Sequence, residues 1–251
     1  MIYVEGDCHG DFRRFSTENF PEQKEMTKRD VVIVTGDFGG IWDYRGESSE
    51  EKYWLKWLNE KNFTTVFADG NHECFPRISR FPVENFKGGK VHEIRPSILH
   101  MMRGEIYELE GKTFFVFGGA SSHDVEDGIL DPVKDMGKIR RWRRSRDKRF
   151  RVEGVNWWPE ELPSEAEMEN GRQNLQKYGY QVDYVITHEA PQSVAEAMFP
   201  GVAKPDILTK YFDELLQEGL KFDKWFFGHY HSNQQYQDKF VCLYDQIERI
   251  V

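Results

Sequence analysis

Three cysteines in 251 residues cannot pair completely and fall far short of a secreted disulfide scaffold, so a reducing cytoplasm is the expected setting. No apolar run approaches the roughly 18–20 residues that cross a bilayer, so no membrane association is expected. Met1–Asp7 lacks the basic and then apolar regions of a signal peptide and reads as the first strand of the fold. No repeat, low-complexity tract or Pro/Gly/Ser linker divides the chain, and its length fits one domain spanning 1–251. Positive charge is also short. The 34 Lys+Arg face 43 Asp+Glu, a formal charge of −9, which excludes a uniformly basic nucleic-acid binder. Aromatic residues, by contrast, make up 15% of the chain, enough apolar area to fill a core and exclude disorder.

Short runs rich in β-formers lie at Ile2–Val4, Val31–Thr35, Thr64–Ala68, Thr113–Phe117, Val182–Thr187 and Lys224–Phe227, each bounded by turn residues. Helical patterns lie between them. Ser48–Glu51 and Ser164–Glu167 have the spacing of capping boxes, in which a Ser oxygen and a Glu carboxylate satisfy free backbone N–H groups. A third helix follows Pro205, with Leu208, Tyr211, Phe212 and Leu215 on one face. This alternation predicts an α/β layered fold, and a hairpin turning at Glu110-Gly111 predicts that its sheets are mixed. The stretch 121–163 fits least well and reads as an insertion or cap. It holds the one strong charge block, Lys138–Arg151, with nine cations and one anion.

Polar residues of one kind recur at the ends of the expected strands. Asp7-Cys-His9 follows the first, Gly36-Asp37-Phe-Gly-Gly40 the second and Gly70-Asn71-His72-Glu73 the third. Thr187-His188 and Gly228-His229-Tyr-His231 follow two more. Ligands gather beyond the carboxyl ends of strands because loops converge there on a rigid scaffold. A spacing of two in Asp7-x-His9 and His229-x-His231 sends both side chains to one side of an extended chain. Asp7, His9, Asp37, Asn71, His188, His229 and His231 thus form a mixed carboxylate, imidazole and amide set. Such a set suits Mn, Fe or Zn better than Ca, and it exceeds what one tetrahedral ion needs. With one carboxylate bridging, it gives two ions four protein ligands each.

The ordered set D-x-H, G-D-x-x-G, G-N-H-E, H and G-H-x-H, running from Asp7 to His231, resembles the calcineurin-like metallophosphoesterase superfamily. The resemblance implies a four-layer α/β/β/α sandwich of two mixed sheets. It implies one ion on Asp7, His9, Asp37 and His231, and a second on Asp37, Asn71, His188 and His229. The ions would be divalent, with manganese first and iron, zinc or nickel as alternatives. The implied reaction is in-line attack on a phosphate ester by a metal-bridging hydroxide, with Asp37 as the bridge. His72 would be the general acid and Glu73 a supporting residue.

The second motif, Gly36-Asp-Phe-Gly-Gly-Ile-Trp42, departs from the G-D-x-V-D-R-G of protein Ser/Thr phosphatases and lacks its phosphate-gripping arginine. The paired histidines at 229 and 231 resemble phosphodiesterase and nuclease branches, and Gly118–Asp124 and Asn156–Glu160 resemble prokaryotic and phage members. A phosphatase is the first expectation. A nuclease or nucleotide phosphodiesterase with the same site stands as the alternative, and an inactive protein-binding scaffold of the same fold as the alternative of another class. Substrates range over phosphorylated small molecules, nucleotides and phosphoproteins. His123, Asp124, Arg140, Arg141 and Arg143 are the candidate substrate contacts, and the block 138–151 leaves nucleic acid open as a partner. The sequence does not fix the oligomeric state.

Overall fold

Runs of β-branched and aromatic residues become strands here because both faces of each run find apolar cover. In the computed structural model, which describes residues 1–202 and 204–251, the first six strands are β1 (Ile2–Glu5), β2 (Val31–Val34), β3 (Thr64–Phe67), β4 (Val83–Phe86), β5 (Gly89–Arg95) and β6 (Ile98–Met101). They are followed by β7 (Glu105–Leu109), β8 (Lys112–Phe117), β9 (Gly128–Leu130), β10 (Phe150–Val152), β11 (Tyr184–Thr187) and β12 (Lys224–Phe227). The last three are β13 (Gln234–Tyr236), β14 (Phe240–Cys242) and β15 (Ile247–Arg249). One sheet has the order β15-β1-β2-β3-β6-β5-β4 and another β13-β14-β12-β11-β8-β7. Both are mixed: parallel centres (β1-β2-β3-β6 and β8-β11-β12-β14) carry antiparallel strands at their edges.

The hairpin from β7 to β8 turns where expected. Leu109 sits opposite Lys112, and Glu110 and Gly111 take φ of 50° and 74°, the two left-handed residues that match a tight turn to the strand twist. The helices are α1 (Ser49–Asn59), α2 (Phe75–Ile78), α3 (Met136–Trp142), α4 (Glu165–Lys177), α5 (Gln192–Met198) and α6 (Ile207–Gln217). Ser48 and Ser164 cap α1 and α4 with complete capping boxes, as their spacing predicts. Asp206 caps α6 by accepting from the N–H groups of Leu208 and Thr209 at 2.8 Å.

The inner faces of the two sheets share one apolar cluster, in which Ile2, Val4, Ile33 and Val66 meet Phe114, Val116, Ile186 and Phe226. On the outer face of the first sheet, Leu55 and Leu58 of α1 pack with Val32, Val34 and Phe67. On the outer face of the second, Leu175, Leu208 and Phe212 pack with Phe115, Val185 and Trp225. Residues 121–163 hold β9, α3 and β10, and Leu130, Ile139 and Val152 form a small cluster of their own.

Candidate metal centre

Six loops carry the chemistry, and each leaves the carboxyl end of a central strand. Asp7 and His9 follow β1, Asp37 follows β2, and Asn71 and His72 follow β3. His123 and Asp124 follow β8, His188 follows β11, and His229 and His231 follow β12. Because these strands run parallel within each sheet, their carboxyl ends open at one edge.

The first two loops clasp each other through backbone bonds. The N–H groups of Cys8 and His9 donate to the Asp37 oxygen at 3.1 and 2.7 Å, and Gly10 N–H to Phe38 O at 3.0 Å. His9, Asp37, His229 and His231 take φ of 48°, 44°, 68° and 47°. The expected extended geometry at the D-x-H and H-x-H motifs is therefore not what aligns them. Left-handed turns converge the side chains instead, a conformation non-glycine residues hold only where surrounding bonds enforce it. Gly70 and Gly228 are needed for the same crowding: a Cβ on Gly70 would overlap Asp37 Oδ1, and one on Gly228 would overlap Asp7 Oδ1.

Asp7 and Asp37 are both buried. Asp7 Oδ1 accepts from the His229 N–H at 3.0 Å, while Oδ2 lies 3.2 Å from His231 Nε2 and 3.7 Å from His9 Nε2. Asp37 Oδ1 accepts from the His72 N–H at 2.8 Å and lies 3.3 Å from His188 Nε2; Oδ2 lies 3.7 Å from His9 Nδ1. Three groups of donor atoms, each within 4.8 Å of one another, result: Asp7–His9–His231, His9–Asp37–His72 and Asp7–Asp37–His188. Asn71 and His229 stand beside these groups. Asn71 Nδ2 donates to Ser122 Oγ at 3.4 Å, and His229 Nε2 lies 3.5 Å from Glu189 Oε2.

Four buried atoms of the set, Asp7 Oδ2, Asn71 Oδ1, His188 Nε2 and His229 Nε2, have no hydrogen-bond partner. A folded protein seldom leaves so many lone pairs unspent in one place, and divalent cations are the partners their chemistry fits. The charge balance agrees. Burial would raise Asp7 and Asp37 and lower His188, yet attraction between them wins: both carboxyls are held well down, and His188 is pushed up to about 10.

Burial brings His72 down to about 4, offset by Asp37 and reinforced by Arg151. Its ring lies against Trp42 (centroids 5.2 Å apart, 25° between planes), and Trp42 meets Trp158 edge-on. Glu73 follows His72 in the same loop. Fully buried, it accepts from the N–H groups of Phe38 and Gly39 at 2.8 and 3.4 Å and so braces the loop of Asp37 from beneath. Cys8 turns away, with Sγ 3.7 Å from Glu5 Oε1.

Of the candidate substrate contacts, His123 stacks on His229 with ring centroids 4.1 Å apart, and Asp124 Oδ1 accepts from Arg151 Nε at 2.7 Å. Arg140, Arg141 and Arg143 lie exposed on and just beyond α3, with no side-chain bond to a site residue among the described ones. The cation of the block that does reach the site is its last, Arg151, which the sequence reading did not single out. Nor did that reading single out Glu161, whose oxygens accept from Ser122 N–H at 3.0 Å and Ser122 Oγ at 2.9 Å. Burial pushes Glu161 up to about 8. Its only sequence signal is its place between Trp158 and Leu162.

The family model described as calcineurin-like phosphoesterase matches residues 1–233, and the chain belongs to this family. Membership of this family implies hydrolysis of phosphoric ester bonds and the use of divalent metal ions. Lariat debranching enzyme A of Xenopus laevis is 30% identical over 146 residues, which cover 52% of this chain and 26% of that protein. The chain therefore matches about a quarter of the length of that curated relative. The crystal structure of phosphopantetheinyl hydrolase (PptH) from Mycobacterium tuberculosis aligns over 97% of this chain and 89% of its own, at 13% identity and a TM-score of 0.45.

Proposed function

We propose that the protein is a dinuclear phosphoesterase whose two divalent ions, manganese first, are held by Asp7, His9, Asp37, Asn71, His188, His229 and His231. The observation that carries this reading is the convergence of these side chains from both ends of the chain with four buried donor atoms left unpaired. Cations bound there would neutralise charge on phosphoryl oxygens and lower the pKa of coordinated water. Asp37 belongs to two of the donor groups, as do Asp7 and His9, and is the shared ligand in this reading. His72, anchored through its N–H to Asp37 Oδ1, is the proton donor to the leaving oxygen in this reading, a role that requires the bound phosphoryl anion to release it from Arg151 and raise it from about 4. Residues 121–163 form a cap over this edge of the fold, and a reducing cytoplasm suits the three buried thiols.

A phosphatase is the first reading. A diesterase is the second, favoured by a cleft of about 510 Å³ that runs from His9 past Trp42, Tyr44 and Trp54 to Asn156, with room for a leaving group larger than water. The debranching-enzyme relative supports the same reading. Among the described residues no helix is long and apolar enough to cross a membrane.

Turnover of p-nitrophenyl phosphate and bis(p-nitrophenyl) phosphate with Mn²⁺, Fe²⁺, Ni²⁺ and Zn²⁺ tests the proposal. It predicts activity that Asp37→Asn and His72→Asn abolish, and the ratio of the two substrates separates the two readings. No turnover of either ester with any metal would defeat it.

A further inference from the structure

The loop Gly36–Trp42 carries no arginine, and the oxygens of a phosphate ester that are not taken up by cations are strong acceptors for an N–H donor from elsewhere in the chain. Arg151 on β10 is placed to be that donor. Its side chain is 6% exposed, although the block it ends is otherwise largely exposed. Nη2 lies 3.1 Å from His72 Nε2, and His72 shares a donor group within 4.8 Å with His9 and Asp37. Among the described residues, no other guanidinium or ammonium is hydrogen-bonded or ion-paired to the side chain of a proposed metal ligand or of His72.

The rest of the fork is fixed. Nε donates to Asp124 at 2.7 Å, Nη1 to the main-chain oxygen of Asn156 at 3.1 Å, and the guanidinium carbon lies 5.8 Å from the centroid of the Trp42 ring. The partner at Nη2 is an imidazole nitrogen. An anionic oxygen is a much stronger acceptor for a guanidinium, so a phosphoryl group displaces His72 from Nη2 while Asp124 and Asn156 hold the fork in place. We propose that Arg151 is the phosphate-gripping residue of this enzyme, supplied by the 121–163 segment in place of the arginine missing from the second motif. The inference rests on the phosphoesterase reading. It makes the segment part of the site rather than a decoration, and it assigns phosphoryl recognition to one buried arginine rather than to the exposed run from Lys138 to Arg149.

The test compares wild type, Arg151→Lys and Arg151→Met after manganese loading, with metal content and melting temperature measured for each. Inorganic phosphate serves as the probe, as a competitive inhibitor of aryl phosphate turnover and in calorimetric titration. The expected result is an inhibition constant raised at least tenfold in Arg151→Met and by an intermediate factor in Arg151→Lys, at unchanged manganese content. A purely structural role would lower melting temperature without this graded loss of phosphate affinity. Should Arg151→Met fail to fold, Arg151→Lys decides, because it keeps the charge and loses the fork. Phosphate constants within twofold of wild type in the folded variants would overturn the inference. If the wild type turns over no ester, the phosphoesterase reading fails separately. The calorimetric titration then still decides: phosphate heat lost with Arg151 supports the assignment, and equal heats refute it.

Discussion

The Nδ1–H of His188 donates to the main-chain oxygen of Thr35 at 3.0 Å, which turns Nε2 toward Asp37 Oδ1 at 3.3 Å. One backbone carbonyl at the end of β2 therefore fixes both the tautomer and the aim of an imidazole delivered by the other sheet. Orientation of this kind is what a metal-binding histidine needs, because the unprotonated nitrogen must face the ion.

His188→Asn removes that nitrogen while keeping a polar side chain of modest size. If the proposed centre holds two manganese ions per chain, the variant should retain one, and its kcat should fall by about a hundredfold or more. Metal analysis after desalting, alongside aryl phosphate turnover, checks both parts. Full occupancy in the variant would remove His188 from the ligand set.

Ser122 links Glu161 to Asn71 and so governs which atom of the amide faces the site. Its Oγ accepts from Asn71 Nδ2, which leaves Oδ1 free. Ser122→Ala should weaken manganese affinity by about 10–100-fold, the usual cost of losing a partner that orients a ligand. The fold should persist, since the substitution removes one oxygen and no packing. A manganese titration that superimposes on wild type would show that Asn71 needs no such support.

Gly228→Ala places a methyl group on Asp7 Oδ1. Overpacking of this kind costs about 1–3 kcal/mol, and here the atom that must yield belongs to a proposed ligand. Denaturant unfolding should report that loss together with reduced metal content. A variant as stable and as fully loaded as wild type would mean that the loop after β12 gives way freely.

His92 supplies a pH dependence outside the proposed ligand set. Its Nδ1 lies 3.0 Å from His100 Nδ1, and burial, reinforced by His100, brings it down to about 4 from an ordinary 6.5. The folded protein thus favours neutral His92, whereas the unfolded chain takes up a proton below pH 6.5. The stability this residue contributes is full above that pH and is lost as pH falls toward 4. Melting temperatures measured from pH 7 to 4 should fall less steeply in His92→Gln than in wild type. Parallel curves would show that His92 does not contribute.

Much of the fold was legible because strands and caps are local matters. Val31–Val34 or Thr64–Phe67 needs only a β-forming run and a turn residue after it, and Ser48 and Ser164 bond to groups three residues away. The edge strands β4, β13 and β15, and β5, β6 and β14 inside the sheets, escaped notice because their short runs pair only with a neighbour already in place. The same division runs through the site. Asp7, Asp37, His188 and their companions announce themselves at strand ends, but the sequence singled out Arg140, Arg141 and Arg143 and not Arg151, since charge in a sequence carries no direction.

The amino-acid order by itself determined that a mixed α/β scaffold would offer carboxylate, imidazole and amide donors at the ends of its strands, because propensity and turn chemistry act over a few residues. Only the tertiary structure decided which donors meet. Arg151 is 79 positions from His72, and His231 is 222 from His9. Contacts at such separations depend on the register of two sheets and on left-handed turns whose strain is offset by bonds from other parts of the chain.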